Sequence, residues 1–246
     1  MRIRDGVHRL GNGLVNSYLL EERGEITIVD AAMPGDWSQL LAELRSMGRS
    51  LDDVRALVLT HGHSDHIGYA ERARTEARIP VSVHELDAAL ARGEVPNPGK
   101  GAGPTRPLPM LRFLLLGVVR GALRTKNLGE VGVYGDGATL DVPGALQVIG
   151  LPGHTPGSVG LLAAAFDTLF IGDAIATVSV ASGATGPMVA PFTADPDQAV
   201  ESLSRLRGIE AGWVLPGHGQ PWRDGVEAAV RAVVASPGIG RAPDRG

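Results

Sequence analysis

The sequence predicts a mixed α/β fold in which two similar halves pack together as one domain. Short apolar strands alternate with amphipathic helices before residue 93, and strands with a helix return after residue 130. No clean linker separates the two parts. Apolar residues make up 43% of the 246-residue chain, which is enough to bury a substantial core.

The first half begins with a predicted hairpin, because two apolar runs, 16–20 and 26–29, flank a polar turn. A helix follows that ends at Gly48, with Asp36 as its cap and Gln39 in the capping-box position. The next apolar run is continuous, as is typical of a buried central strand. We predict this strand over 54–59, a helix over 66–78, a strand over 81–83 and a short helix over 85–91.

The segment 93–130 interrupts this pattern and is interpreted as an insertion that carries one helix. Five prolines punctuate a glycine-rich stretch, and the residues 110–123 that follow are strongly apolar. Beyond the insertion the pattern is mostly β, with short strands predicted over 146–149, 159–163, 169–171 and 213–215.

Two helices complete the predicted domain, which covers residues 1–235. Asp195 starts the first, with Pro196 at the first helical position and Gln198 at the third. The second is amphipathic and covers 226–234. The tail 236–246 is rich in Pro, Gly and Arg and is predicted to be disordered.

Composition excludes several classes of partner and chemistry. The net charge of −4 argues against a general nucleic-acid binder. The absence of cysteine removes disulfides, thiolate ligands and cysteine nucleophiles, and it fits a cytoplasmic protein. The most apolar run, 113–119, is far shorter than the roughly 20 residues of a membrane span, and the N-terminus lacks an apolar signal region. No membrane partner is therefore expected.

The loop Thr60–His66 concentrates metal-binding chemistry directly after the predicted central strand. It contains His61, His63, Asp65 and His66. Imidazole nitrogen and carboxylate oxygen are ligands of zinc and similar metals. Four such side chains are costly to bury together unless something neutralises and orders them. The loop therefore predicts a metal site.

Three further residues of metal-binding type, His154, Asp173 and His218, stand outside this loop. Each follows a predicted strand and is flanked by Gly or Pro, which hold a loop in a fixed shape. A lone histidine beside a glycine is more often a turn residue than a ligand. Next to the dense loop, however, these three residues complete a plausible ligand count, so we predict that all seven bind metal.

The combined pattern resembles the metallo-β-lactamase superfamily over residues 7–235, apart from the insertion. The matching motifs, in order, are His61-x-His63-x-Asp65-His66, Gly153-His154, Gly172-Asp173 and Pro216-Gly217-His218-Gly219. The resemblance implies a four-layer αββα sandwich with a two-metal site on one edge. It also implies that His61, His63 and His154 hold the first metal, that Asp65, His66 and His218 hold the second, and that Asp173 bridges both.

The resemblance further implies a metal-dependent hydrolase. A hydroxide that bridges two metal ions would attack an ester, lactone or thioester carbonyl, and Asp65 would orient this nucleophile or carry its proton. Zinc is the first expectation for the metal, although iron and manganese tolerate the same ligands. The expected partner is a small-molecule substrate with an apolar part.

Departures from known subfamilies leave several alternatives open. A β-lactamase is disfavoured because there is no cysteine ligand, and glyoxalase II because only a short segment follows His218. In the related lactonases a tyrosine stands where this chain has Ala176. An RNA-processing nuclease lacks support because no basic, aromatic-interleaved arm is present. A phosphodiesterase, a mono-iron persulfide dioxygenase and a non-catalytic metal-binding module remain as alternatives.

The helix of the insertion has two interpretations. In one, it leans over the metals, so that Met110, Phe113 and Leu114, with Leu115, form an apolar wall for the substrate. In the other, it packs on the core or forms a homodimer contact.

Overall fold

Two β-sheets pack face to face in the computed structural model, with helices on both outer surfaces. The structure describes residues 1–99 and 103–236. The predicted disordered tail therefore lies, from residue 237 onward, outside the described residues. Among the residues described, no helix is both long and apolar enough to cross a membrane.

The first sheet has seven strands that lie side by side in sequence order. The strands are β1 (Arg2–Arg4), β2 (Val7–Gly11), β3 (Asn16–Glu22), β4 (Glu25–Val29), β5 (Val54–Val58), β6 (Val81–His84) and β7 (Gly132–Tyr134). Strands β1 to β4 pair antiparallel, whereas β4 to β7 pair parallel. The hairpin predicted from the sequence is β3–β4, and the predicted central strand is β5.

The second sheet has four strands, and a separate two-stranded ribbon lies between two of them in the sequence. In chain order these are β8 (Gln147–Gly150), β9 (Val159–Ala163), β10 (Thr168–Gly172), the ribbon β11 (Ala176–Val178) and β12 (Thr185–Met188), and β13 (Trp213–Pro216). The sheet order is β13-β10-β9-β8, in which β9 is antiparallel to both neighbours and β13 is parallel to β10.

The described residues form six α-helices: α1 (Trp37–Ser46), α2 (Ala70–Glu76), α3 (Ala88–Ala91), α4 (Pro107–Val119), α5 (Pro196–Ser202) and α6 (Gly225–Ala235). Three buried apolar clusters separate the layers. One packs α1 to α3 on the first sheet, one fills the space between the sheets, and one packs α6 and the turn Leu203–Leu206 after α5 on the second sheet. The αββα sandwich is therefore confirmed.

The predicted capping box at the start of α1 is wrong. Asp36 does precede the helix, but its carboxylate accepts hydrogen bonds from the backbone N–H of Met33 and from Arg120 rather than from the helix. The side-chain oxygen of Gln39 accepts the backbone N–H of Gly11 at 2.9 Å. Both side chains thus connect α1 to other segments, and tertiary contacts override the local capping pattern.

The helix predicted from His66 begins only at Ala70. The residues before it are held by a neighbouring segment, because the N–H groups of Gly68 and Tyr69 donate to the carbonyls of Ala32 and Ala31. This pairing holds Gly68 and Tyr69 outside the helix. This backbone pairing keeps the metal-binding loop in an irregular shape and leaves only Ala70–Glu76 as helix.

Candidate metal centre

The predicted ligands lie on loops that follow four strands. The loop Thr60–His66 follows β5, His154 follows β8, Asp173 comes directly after β10, and His218 follows β13. Strands β8 and β10 run in the same direction, since both are antiparallel to β9, and β13 is parallel to β10. The ends of these strands therefore meet along one edge of the sandwich, the usual position for functional loops on a rigid scaffold.

All seven predicted side chains come together at this edge. Within each of three groups the potential ligand atoms lie within 4.8 Å of one another: His61, His63 and His154; Asp65, His66 and His218; and His61, His66 and Asp173. The first two groups match the two ligand sets that the resemblance implies.

Asp173 lies between these two sets. Its Oδ2 is 3.3 Å from Nε2 of His154 and 3.1 Å from Nε2 of His218, and its Oδ1 is 3.6 Å from Nε2 of His66. One carboxylate thus reaches a member of each set, which is the geometry required of a bridging ligand.

Several buried polar atoms of the cluster have no hydrogen-bond partner. They are Nε2 of His61, His63 and His66 and Oδ1 of Asp173. Buried polar atoms are rarely left unpaired, because each costs free energy. Divalent metal ions would satisfy all four atoms, so the residues fit such ions. A mixed imidazole and carboxylate donor set suits zinc, iron or manganese.

Burial and neighbouring charges set the protonation state of each group in the cluster. Burial lowers the pKa of His154 to about 3 and holds that of His61 well below its usual value, so both imidazoles are neutral and can donate a lone pair. Burial alone would lower the pKa of His66, but nearby carboxylates, led by Asp173, raise it to about 10, so this imidazole must release a proton when it binds a metal ion. Burial would raise the pKa of Asp173, yet neighbouring imidazoles, led by His218, hold it well below its usual value.

Hydrogen bonds fix the tautomers of two histidines. The hydroxyl of Thr193 donates to the carbonyl of Ala190 at 2.7 Å and therefore accepts the Nδ1–H of His154 at 3.0 Å. Nδ1 of His218 donates to the carbonyl of Leu14. In the neutral tautomer that each bond selects, Nε2 carries no proton and is turned to the cluster, as a metal-ligating histidine requires.

Asp30, which was not predicted from the sequence, orients two more histidines. Its carboxylate accepts hydrogen bonds from the N–H and hydroxyl of Thr60, at 2.7 and 2.9 Å, and lies 3.1 Å from Nδ1 of His66. Because the Thr60 hydroxyl donates to Asp30, it accepts the Nδ1–H of His61 at 3.1 Å. Asp30 follows β4 directly and has a φ of 60°, a conformation that aspartate tolerates better than most residues.

Asp87 connects two of the ligand loops and was also missed. Its buried carboxylate accepts the N–H of Gly62 from the loop Thr60–His66. It also accepts the hydroxyl of Thr155 and the N–H of Gly157 from the loop that carries His154. All three distances are 2.7 Å. Neither aspartate stands in a motif, so the only available signal was a carboxylate shortly after a buried strand.

Two glycines of the predicted motifs are required by close approach. A Cβ at Gly217 would lie 2.2 Å from Oδ1 of Asp173 and 2.5 Å from Cε1 of His66. Gly172 has a φ of +53°, and a Cβ there would lie 2.5 Å from the hydroxyl oxygen of Thr60. Larger residues would therefore displace the ligands or the residues that orient them.

A cavity of about 310 Å³ opens above the cluster. Its floor includes His63, Asp65, His154, Asp173 and His218, whereas its walls are mainly apolar. Helix α4 forms one wall with Phe113, Leu114, Gly117 and Val118. The rest of the apolar lining includes Met33, Val180, Pro191 and Phe192. The insertion therefore does lean over the site.

The expectation for Met110 is not met, since this residue does not line the cavity. Met110 lies on the same side of α4 as Phe113 and Leu114 but one turn earlier, about 4.5 Å further along the helix axis. It is half-buried beyond the end of the cavity. Leu115 points away from the cavity and is exposed. That Phe113 and Leu114 contact the substrate stays a prediction.

Comparison with known proteins agrees with this architecture. The family model of the metallo-β-lactamase superfamily matches residues 10–218. The chain belongs to the metallo-β-lactamase superfamily. Two Bacillus subtilis (strain 168) proteins are similar to this chain over most of their length. The uncharacterized protein YobT is 30% identical, with 89% of each chain covered, and the probable metallo-hydrolase YflN is 29% identical over 88% of this chain and 84% of its own.

Solved structures of superfamily proteins share the fold. The metallo-β-lactamase family protein TTHA1429 from Thermus thermophilus superimposes with a TM-score of 0.68 at 24% identity, covering 94% of this chain and 78% of its own. TTHA1623, solved in a di-iron-bound form, has a TM-score of 0.59 at 26% identity and covers 92% of this chain and 97% of its own. Together with the His/Asp cluster, these relatives identify the chain as a metal-dependent hydrolase of the superfamily.

Proposed function

We propose that this enzyme hydrolyses an uncharged ester, lactone or thioester that carries an apolar acyl or alkyl group. The lining of the cavity above the metal centre is the observation that carries the proposal. Apart from the predicted ligands, only Ser64 and Asn97 are polar among the described residues that line it. Most ligand pockets combine an apolar wall with a few polar groups that orient the reacting part of the ligand.

The wall of the cavity disfavours substrates with an anionic group away from the reacting centre. No Lys or Arg lines the cavity among the described residues. An anionic substituent against this wall would therefore lose hydration without gaining a cationic side chain, whereas an uncharged acyl or alkyl group bears no such cost. Divalent ions on the floor would attract a phosphodiester as well as a carbonyl oxygen, so a substrate panel is needed to separate these two classes.

Each residue has a defined part in this proposal. His61, His63 and His154 would hold one divalent ion; Asp65, His66 and His218 would hold the second; and Asp173 would bridge them. Divalent ions held here would supply Lewis acidity and lower the pKa of water, which yields a nucleophile at neutral pH. Asp65 lines the cavity, and its Oδ2 lies 3.5 Å from Nε2 of His218. Its carboxylate can therefore orient the attacking water and accept a proton from it.

The substrate orientation follows from the position of the apolar wall. The acyl or alkyl group would lie against Phe113 and Leu114 of α4 and against Phe192. The reacting carbonyl would then face the ligand cluster on the floor of the cavity. Burial of the apolar group excludes water from the site and holds the carbonyl close to the nucleophile.

Zinc is the proposed metal, with iron as the alternative. The donor set of five histidines and two aspartates contains no soft sulfur ligand and suits either metal. The di-iron-bound form of TTHA1623 supports the iron alternative. Metal analysis of the purified protein should give about two ions per chain. A value near one would favour the persulfide dioxygenase alternative.

A substrate panel tests the reaction class. The metal-loaded protein is assayed with neutral p-nitrophenyl esters, an aliphatic lactone, an acyl thioester and bis(p-nitrophenyl) phosphate. We expect turnover of at least one carbonyl substrate that exceeds turnover of the phosphate by about a hundredfold, or about 3 kcal/mol in transition-state stabilisation. Activity on the phosphate alone would refute the proposal in favour of the phosphodiesterase. Inertness of a fully loaded protein to the whole panel would support a metal-binding module.

A further inference from the structure

We propose that helix α4 docks the enzyme on an anionic lipid surface. Four large apolar side chains form an outer stripe on this helix, away from the cavity: Leu108, Leu111, Leu115 and Val119. They are 76%, 52%, 57% and 79% exposed. Their spacing of three or four residues places them on one side of the helix. An exposed apolar stripe of this kind marks an interaction surface.

The charge around the outer stripe points to an anionic partner. The segment 95–129 contains six Lys and Arg residues and no Asp or Glu, in a chain whose net charge is −4. Arg112 borders the stripe on α4, and the exposed Arg106 and Arg124 lie before and after the helix. Within the described part of the chain, none of these three forms an ion pair, whereas Arg120 is paired with Asp36.

A basic, apolar helix on an otherwise acidic protein fits the interface of an anionic membrane. Apolar side chains enter the boundary between headgroups and acyl chains, while Lys and Arg remain at the level of the phosphates. Each cation near such a surface strengthens binding by about fivefold. A symmetric contact between two copies through the same stripe would instead bring Arg112 and Arg124 near their own counterparts, which is unfavourable.

The position of the cavity supports a lipid surface over an acidic protein. The opposite side of α4 lines the cavity, and Leu114 and Val118 belong to that lining while being more than half exposed. Leu123 lines the cavity as well and is 88% exposed. Apolar surface is therefore continuous from the outer stripe to the metal centre. An amphiphile could pass from a bilayer into the cavity without its chain crossing water.

The sequence contains no apolar run long enough to span a membrane, and for that reason no membrane partner was expected. Surface docking needs only a short amphipathic helix and a basic patch, so the absence of a spanning segment does not oppose it. The 13 residues of α4 are sufficient for this mode of binding.

Vesicle sedimentation tests the proposal without relying on the enzymatic reaction. Metal-loaded protein is mixed with phosphatidylcholine vesicles that contain roughly one third phosphatidylglycerol, and separately with phosphatidylcholine alone. We expect binding to the anionic vesicles that weakens at high salt and is at least about tenfold weaker on the neutral vesicles. The double variant Leu111→Glu/Val119→Glu should bind the anionic vesicles at least about tenfold more weakly than the parent. The single variant Arg112→Glu should bind them at least about fivefold more weakly.

The control is Val234→Glu, which replaces a 63% exposed valine on α6 with the same charged side chain. It should bind vesicles as the parent does. None of the four altered positions lines the cavity, so turnover of a small soluble ester should be unchanged in every variant. The proposal is overturned if the parent does not bind anionic vesicles, or if the double variant binds as well as the parent. A parent homodimer that becomes monomeric in the double variant would assign the stripe to a second copy instead.

Discussion

The ring of Phe113 stands edge-on to the imidazole of His218, with ring centroids 6.2 Å apart and planes at 86°. Phe113 belongs to the inserted helix α4, and His218 belongs to the last ligand loop of the second sheet. This contact brings the insertion directly over one of the proposed metal ligands. The identity of the residue at 113 should therefore affect the substrate more than the metal.

Phe113→Ala should raise KM for an ester with an apolar acyl chain by about tenfold, because part of the apolar wall is lost. Metal content should stay at the parent value, since Phe113 offers no ligand atom. Both are measured by steady-state kinetics and metal analysis on the same preparation. Leu115→Ala is the matched control, because Leu115 is an exposed apolar residue on the same helix outside the cavity. An unchanged KM in the first variant would contradict the proposed substrate orientation.

Asp173→Ala should abolish hydrolysis and lower the metal content below two ions per chain. The bridging carboxylate is the group that contacts both ligand sets, and without its negative charge two closely spaced cations would repel each other more strongly. Inductively coupled plasma mass spectrometry gives the stoichiometry. Asp141→Ala removes an exposed aspartate in a distant loop and should change neither quantity. Residual activity near the parent level would show that the bridging assignment is wrong.

Asp87→Asn should weaken metal binding by about ten- to a hundredfold, the usual effect of losing a residue that supports the ligands. Asparagine retains one acceptor but directs an NH₂ group at donors that now lack a partner. Competition with a chromogenic chelator measures the metal affinity. If Asp87 acts by positioning the two loops, excess metal should restore kcat. A loss of stability with parent metal affinity would assign it a purely structural role.

Removal of metal should lower the melting temperature by roughly 10 °C. At a free metal concentration about a thousand times the dissociation constant, binding adds about 4 kcal/mol to the free energy of unfolding. The melting temperature of a protein of this size changes by about 2–4 °C per kcal/mol. Differential scanning calorimetry before and after exhaustive dialysis against chelator gives the shift, and re-addition of metal should reverse it. Equal melting temperatures for the two forms would argue that the ions contribute nothing to folding.

Glu71→Gln should destabilise the protein at neutral pH and have a smaller effect at acidic pH. Hydrogen bonds from Arg74 lower the pKa of the Glu71 carboxyl in the folded state. The lowered pKa stabilises the folded state at pH values above the pKa that Glu71 has in the unfolded chain. This stabilisation is lost as the pH falls through the pKa of Glu71 in the folded state. The loss at pH 7 should be at most about 1 kcal/mol.

Urea unfolding at pH 7 and near pH 3 measures the difference. Glu76→Gln serves as the control for Glu71→Gln, because Glu76 also lies on α2 and pairs with Arg72, but both side chains of that pair are about half exposed. Its effect should be close to zero at both pH values. An equal loss for Glu71→Gln at the two pH values would show that the carboxylate charge is not the source of the stability.

The sequence was most informative where one local pattern sufficed. The continuous apolar run that became β5, the apolar runs in β3 and β4, and the Asp195 cap all formed as predicted, and the Asp195 carboxylate accepts the N–H of Gln198. Three short strands, β1, β7 and β11, were not predicted. Each has three residues, which are too few to show an alternating apolar pattern. They are stabilised by pairing with a neighbouring strand, which a local pattern does not contain.

The same distinction applies to the site. The seven ligands stand in dense or glycine-flanked motifs and were found, whereas Asp30 and Asp87 are single carboxylates whose partners are 25 to 70 residues away. Their function depends on contacts between loops. The orientation of α4 was ambiguous in the sequence because the helix is apolar on both sides. Its inner side covers the cavity and its outer side is exposed.

The distribution of ligands between the halves of the chain has a consequence for the order of folding. Each proposed metal set takes two ligands from the loop after β5 and a third from the second sheet, His154 for one set and His218 for the other. Neither half alone can complete a three-residue set. Complete coordination in either set therefore requires that the two sheets have docked, and ions held by residues of both sheets would slow their separation. Metal binding would thus couple the two halves of the chain in addition to the apolar cluster between the sheets.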